Sequence, residues 1–263
     1  MRNAKISIVG AGVMGEAMIK TLLKSGYKEE QIYILEKRPE RVAQLKDRYG
    51  ITHEGNDNCK ICVLTVKPQD FISTQIALEN VENALIVSLM AGIRLEKIES
   101  SLSETNRVVR IMTNTPITIG EGMSVASIGS RATNEDSAWI EEVFRNSGEV
   151  LFIDENLMDS VTSVSGSGPA YFFAFVEALT TAASSLGLSP QDSELLVRQT
   201  FVGSAKMLNE RNERSTILKR EVTSPGGTTE AALKVFEEMK FQEIIDSALS
   251  AARARAAQLS DKD

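Results

Sequence analysis

Two stretches of this chain carry residue types that can do chemistry. The first is Gly10-Ala11-Gly12-Val13-Met14-Gly15, set directly after the β-branched run Lys5 to Val9 and before an amphipathic segment. G-x-G-x-x-G between a strand and a helix is a dinucleotide fingerprint. Gly10 permits the tight turn, Gly12 lets backbone approach a pyrophosphate, Gly15 lets the helix pack on the strand, and the helix N-terminus faces the phosphates. Glu36 closes the next β-branched run about 20 residues on, where a carboxylate can accept from a ribose hydroxyl. Lys37 and Arg38 follow it and can hold a 2′-phosphate instead. The two features point in opposite directions, so the choice between NADH and NADPH stays open at this level.

The second stretch is VTSPGGTTEAAL, Val222 to Leu233. A helix start needs one capping hydroxyl. Here Ser224, Thr228 and Thr229 surround Gly226 and Gly227, so backbone N–H groups and hydroxyls are presented to an anion. The rest of the chain narrows the reaction. Hydride transfer to a ketone needs an acid to protonate the forming alkoxide, most often histidine. The single histidine, His53, lies in the polar segment THEGNDN and reads as a surface-loop residue. An iminium substrate suits such a chain, because hydride delivery to its carbon completes the reduction. Cys59 and Cys62 form a lone C-x-x-C inside a strand-like run. With no second ligand pair they read as reduced near-core thiols, and no metal is expected.

These residues must be positioned by ordered elements. Apolar runs at 5–10, 31–36, 61–66, 84–92 and 108–112 alternate with helical patterns, one of them opened by Pro39, which implies a parallel sheet covered on both faces. GMSVASIG and GEVLFID add strands around a helix carrying Trp139. Beyond residue 155 no strand-like run occurs and the pattern is helical. The reading is therefore an α/β, Rossmann-type dinucleotide-binding domain over 1–155, followed by an all-helical dimerisation and substrate-binding domain over 156–263. The segment AYFFAFVEALTTAASSLGLS is apolar on more than one face and must be buried. So small a helical domain needs a second subunit to bury it. The net charge of −7 argues against nucleic acid or an anionic membrane as partner. No apolar run reaches the length of a membrane span, and the start has no signal-peptide pattern, so a cytoplasmic protein is expected.

With those motifs in place the chain resembles the Δ1-pyrroline-5-carboxylate reductases. VTSPGGTTEAAL is similar to that family's C-terminal motif. TVKPQD (Thr65 to Asp70), MAGI (Met90 to Ile93), RIMTNTP (Arg110 to Pro116) and SGSGPAYFF (Ser165 to Phe173) match its further motifs in order. The resemblance implies reduction of 1-pyrroline-5-carboxylate to L-proline by NADPH or NADH, without a metal, in a homodimer or a dimer-based higher oligomer. It implies cofactor contacts from Val66, Lys67, Pro68, Ala91, Gly92 and Asn114, with Asn114 alternatively ordering backbone. It also places the substrate carboxylate at Ser224, Gly226, Gly227 and Thr228. Thr229 is set beside the ring nitrogen as the candidate catalytic residue, acting by positioning before proton donation. The segment before Cys59 is shorter than is usual in the family, and Asn56 or Asn58 would stand in for an asparagine near the adenosine. The alternatives are a non-catalytic or regulatory paralogue, or a reductase for another cyclic imine.

Overall fold

The computed structural model describes residues 1–51, 53–55 and 58–260. Eight strands form one sheet: β1 (Ile6–Val9), β2 (Ile32–Leu35), β3 (His53–Glu54), β4 (Ile61–Leu64), β5 (Leu85–Ser88), β6 (Arg107–Met112), β7 (Gly122–Ile128) and β8 (Gly148–Phe152). Their spatial order is β3-β2-β1-β4-β5-β6-β7-β8. Ile6 of β1 pairs with Ile32 on one side and Ile61 on the other, so chain order reverses between β1 and β4. In an open α/β sheet that reversal opens a crevice beyond the strands' C-terminal ends.

The sheet is parallel from β3 to β6, as the uninterrupted apolar runs imply. β7 departs from that expectation and runs antiparallel to β6, with Ile111 opposite Ala126. The connection, residues 113–121, is a short helical turn over Thr115–Ile119 closed by Gly120. A parallel crossover needs about a dozen residues or more. The second correction concerns His53. It lies not in a loop but in the two-residue edge strand β3, paired with Tyr33 of β2.

The helices of this part are α1 (Val13–Lys24), α2 (Pro39–Tyr49), α3 (Phe71–Ala77), α4 (Leu95–Ser101), α5 (Asn134–Phe144) and the short α6 (Met158–Val161). Alternation along the strands sorts the core into two layers. Ile6, Ile8, Ile61 and Val63 pack with Met18, Leu22 and Trp139 on one face. Val9, Cys62 and Leu64 pack with Phe71, Ile98 and Cys59 on the other. Polar side chains in the core find partners across elements: the Trp139 indole N–H donates to the Tyr27 hydroxyl at 2.7 Å, and the Ser7 hydroxyl donates to the Gly55 carbonyl at 2.8 Å. Both cysteines are buried and outside any disulfide. Burial pushes the Cys62 thiol up to about 12.

The chain divides into two compact units. The first holds Met1–Ser167 together with the residues from Ala251 on; the second holds Gly168–Ser250. The helices α7 (Gly168–Ser185), α8 (Pro190–Arg211), α9 (Ser215–Glu221), α10 (Thr228–Glu238) and α11 (Phe241–Ser260) complete the chain. α7 and α8 form an antiparallel pair joined through Gly187, with the Phe172 and Phe201 rings 5.8 Å apart. Among the described residues, the second unit carries exposed apolar side chains. Phe173 is 67% exposed, and Phe172, Leu195, Val235 and Ile244 are exposed as well. The apolar composition of α7 predicts burial, yet in the single chain only Gly168 of that helix is buried. Among the described residues no helix is long and apolar enough to cross a membrane.

Candidate functional site

The crevice at the strand reversal is a real cavity. About 600 Å³ is enclosed by Gly10 and Gly12 after β1, Glu36, Lys37 and Arg38 after β2, Thr65, Val66 and Lys67 after β4, and Ser73 of α3. The glycines are required where they stand. Gly10 has φ +85°, and a methyl group there would come within 2.6 Å of the Val66 side chain; one on Gly15 would run into the Gly10 carbonyl. A methyl group on Gly12 would meet no atom within 4 Å. The turn is thus packed tightly underneath and open above, which fits a group resting on backbone alone. Ala11 is buried under the turn and Val13 is exposed at the start of α1, with Met14 half-buried beside it.

Side chains hold the turn from below. The Arg41 guanidinium of α2 donates to the carbonyls of Ala11 at 2.8 Å and Gly12 at 3.4 Å, and pairs with Glu16. Glu16 also accepts from Arg48 at 2.6 Å and the Tyr49 hydroxyl at 2.7 Å. Burial alone would push its pKa up, but these hydrogen bonds together outweigh that and bring the carboxyl to about 2. The Thr65 hydroxyl donates to the Gly10 carbonyl. Arg41, Glu16 and Thr65 escape a sequence reading because nothing in their spacing announces a reach from one element to another.

At the far end of the cavity Glu36 is 8% exposed. It accepts from the Ala11 amide at 2.9 Å, and from the Arg38 amide, Nε and Nη2, each at 3.1 Å. The Arg38 side chain foremost holds its carboxyl below the usual range. Lys37 Nζ donates to the Ser73 hydroxyl at 3.1 Å. Lys67 is exposed and lines the cavity, with Pro68 opening the short helical turn after it. Asn56 lies outside the described residues.

Ala91, Gly92 and Asn114 do not line this cavity. What meets Gly92 is the C-terminal helix: a methyl group there would come within 3.2 Å of the Leu259 backbone. Asn114 orders backbone, donating from Nδ2 to the Ser165 carbonyl at 3.1 Å and accepting the Met123 amide at 2.9 Å. Nearby, the buried Arg110 pairs with Glu155 at 2.5 Å, and the same Glu155 oxygen accepts the Leu95 amide at the start of α4. The other Glu155 oxygen is buried with no hydrogen-bond partner among the described residues.

In the second unit Gly227 precedes α10 with extended backbone and no side-chain cap. The first bond of the helix runs from the Ala231 amide to the Gly227 carbonyl at 3.2 Å. The amides of Thr228, Thr229 and Glu230 therefore have no carbonyl inside the helix. Gly226 has φ +71°, and its amide is taken by the Glu230 carboxylate at 2.8 Å. Thr229 is half-buried, while Ser224 and Thr228 are exposed. Upstream, Arg211 holds Glu221 through contacts of 2.6 and 3.0 Å.

The strand order and the glycine turn define a dinucleotide-binding α/β unit joined to a helical unit. Residues 5–92 match a family model described as NADP oxidoreductase, coenzyme F420-dependent, and residues 155–259 match one described as pyrroline-5-carboxylate reductase dimerisation. Curated relatives include a pyrroline-5-carboxylate reductase of Mycobacterium leprae, 35% identical with 97% of each chain covered. Another is pyrroline-5-carboxylate reductase 2 of Bacillus subtilis, 32% identical over 98% of this chain and 96% of its own. Among solved structures, a pyrroline-5-carboxylate reductase from Coxiella burnetii superposes with TM-score 0.92 at 32% identity, covering 99% of this chain and all (100%) of that one. The Plasmodium falciparum pyrroline carboxylate reductase with NADP bound superposes with TM-score 0.85 at 28% identity over 99% of this chain and 100% of its own. The chain belongs to the pyrroline-5-carboxylate reductase family.

Proposed function

We propose that this protein reduces 1-pyrroline-5-carboxylate to L-proline with NADPH or NADH. The observation that carries this reading is the match along nearly the whole chain, through both units, to reductases of that name. The open space above Gly12 and the tight packing beneath Gly10 and Gly15 suit a dinucleotide pyrophosphate laid on backbone amides. When bound, the reduced nicotinamide supplies the hydride for the imine carbon.

The chain's own residues bind and orient. Gly10 to Gly15 form the phosphate turn, and Glu36, Lys37 and Arg38 stand at the adenosine ribose. Val66 and Lys67 border the same cavity and Pro68 opens the helical turn that follows them, while Ala91, Gly92 and Asn114 shape the turns and backbone around the sheet's C-terminal edge. In the second unit the amides of Thr228, Thr229 and Glu230 form the seat for the substrate carboxylate, with Ser224 adding a hydroxyl. Gly226 and Gly227 let the backbone curl into that seat. Thr229 positions the ring nitrogen by a hydrogen bond, a role that suits a weakly acidic hydroxyl. The imine reaches the site already protonated, so no histidine acid is needed.

The exposed apolar faces of α7, α8, α10 and α11 are the dimer surface, and a homodimer, alone or in a larger ring of dimers, is the working form. The reading places the enzyme in the cytoplasm. The test is purified protein with pyrroline-5-carboxylate and each reduced nicotinamide, following loss of cofactor absorbance while sedimentation reports mass. Turnover by a dimer is expected. A folded dimer inert with both cofactors would instead identify a non-catalytic paralogue.

A further inference from the structure

The missing side chain of Gly92 faces a helix and not the dinucleotide cavity. A methyl group there would come within 3.2 Å of the carbonyl carbon and oxygen of Leu259, and within 3.3 Å of its Cβ, near the end of α11. Gly92 also has φ +74°, so its conformation and its neighbour both exclude a side chain. The part of α11 that rests here counts with the first compact unit, which takes in the residues from Ala251 on. Ala256 of the same stretch is buried.

The turn that receives α11 begins at the cavity wall. The Leu89 amide donates to the Leu64 carbonyl at 2.9 Å, and the residue after Leu64, Thr65, lines the cavity. Ligands of open α/β sheets lie across the C-terminal ends of neighbouring strands, so the turn after β5 is the next support beyond β4. Residues from late in the chain hold its far end. Glu155, anchored by the buried Arg110 at 2.5 Å, accepts the Leu95 amide at 3.2 Å. Asp159 pairs with Arg94 at 3.8 Å and accepts from the Ser260 hydroxyl at 3.4 Å. The Arg94 pair is long and partly exposed, and contributes little by itself. The Leu259 contact sets backbone on backbone at a distance that admits no side chain, so it is the main restraint.

Resting on the reductase reading, we propose that Glu155, Asp159 and the end of α11 at Leu259 form a brace that positions the Ala91-Gly92 turn for hydride transfer. They are positioning residues, and none of them lines the cavity. Gly92 lacks a side chain in order to admit α11, and the turn's backbone is thereby fixed over the C-terminal edge of the sheet. Affinity for a dinucleotide comes mainly from the glycine turn after β1. Hydride delivery demands more, because a small misplacement of the reacting atoms costs rate. A loosened brace therefore lowers kcat before it lowers cofactor affinity.

The experiment removes Gln258 to Asp263 and follows amide hydrogen exchange without cofactor, then steady-state kinetics. Exchange across Met90 to Leu95 should quicken by about tenfold or more, while Ile6 to Val9 stays within about twofold. The kcat should fall by about tenfold with the KM for NADPH within about threefold. The deuterium isotope effect on kcat, with the label at the transferred hydrogen, should grow. A merely structural role would quicken exchange throughout and leave the isotope effect alone. Gly92→Ala in the full chain should give the same kinetic pattern, and a smaller effect in the shortened chain, where Leu259 is gone. Asp159→Ala leaves the helix in place and should show the pattern at about two- to fivefold, which keeps the test open if the shortened chain does not fold. Unchanged exchange at Met90 to Leu95, a raised KM at constant kcat, or independent effects of Gly92→Ala and the truncation overturns the brace and leaves the reductase reading intact. A parent protein that reduces no pyrroline-5-carboxylate overturns both.

Discussion

Arg41 on α2 donates from Nε to the carbonyl oxygen of Ala11, 2.8 Å away inside the glycine turn. The Ala11 and Gly12 carbonyls are thereby held toward α2, which fixes the conformation of the turn. Arg41 lines no part of the cavity itself, so its influence on a bound dinucleotide is through the turn. Arg41→Ala should raise the KM for the nicotinamide cofactor by about tenfold with kcat nearly unchanged, because the loss falls on binding of ground and transition state alike. Steady-state kinetics with pyrroline-5-carboxylate held saturating checks this. A fall in kcat at constant KM would contradict it.

The partner of Arg41, Glu16, ties the same turn to pH. Its carboxyl is held at about 2 in the fold against 4.5 as the ordinary value. A depressed folded value means that the contribution is complete above pH about 4.5 and is lost as pH falls toward about 2. Glu36, also shifted downward, adds in the same sense. Urea midpoints measured across this range should fall steadily for the parent. Glu16→Gln should start lower and show a shallower dependence on pH, since it can carry no titration of its own.

The Arg110–Glu155 pair joins a buried strand residue to the first amide of α4. Glu155→Ala would leave the Arg110 charge buried with nothing to offset it, a loss of about 3 kcal/mol. Arg110→Met combined with Glu155→Leu should recover much of that loss, because an apolar pair makes no desolvation demand. Denaturant unfolding of the single and double variants gives the comparison directly.

In the second unit the two glycine-stretch roles separate by kinetics. Thr229→Ala should lower kcat, and Thr229→Ser should restore a substantial part of it. At Gly226 a side chain would meet no atom within 4 Å, but the backbone sits at φ +71°. Gly226→Val is thus disfavoured by conformation rather than collision, by about 1–2 kcal/mol or more for a β-branched residue. It should raise the KM for pyrroline-5-carboxylate by about tenfold or more as the seat relaxes. An unchanged KM would mean that the carboxylate is held elsewhere.

What could be read in advance follows from what each pattern encodes. The turn from Gly10 to Gly15 was legible because each glycine answers a backbone demand that no other residue meets. The central strands were legible because double-sided burial leaves an uninterrupted apolar run. The direction of β7 was not, since alternation is the same whichever way a strand runs; only the short link from Met112 decides it. The strand at His53 and Glu54 is two polar residues paired with β2, so it has no apolar rhythm to detect. The apolar girth of α7 was plain, but among the described residues only Gly168 of that helix is buried. Nothing in the sequence singles out Ser73, and only the fold brings it to Lys37.

The placement of Cys59, Cys62 and Trp139 has a practical consequence. All three lie in the first compact unit, and the second has neither cysteine nor tryptophan. Indole fluorescence and thiol-trapping rates will therefore report the melting of the sheet unit alone. Helical circular dichroism is the channel in which loosening of the second unit can be seen. A lag between the two signals on dilution would separate subunit dissociation from loss of the dinucleotide cavity, with no label added.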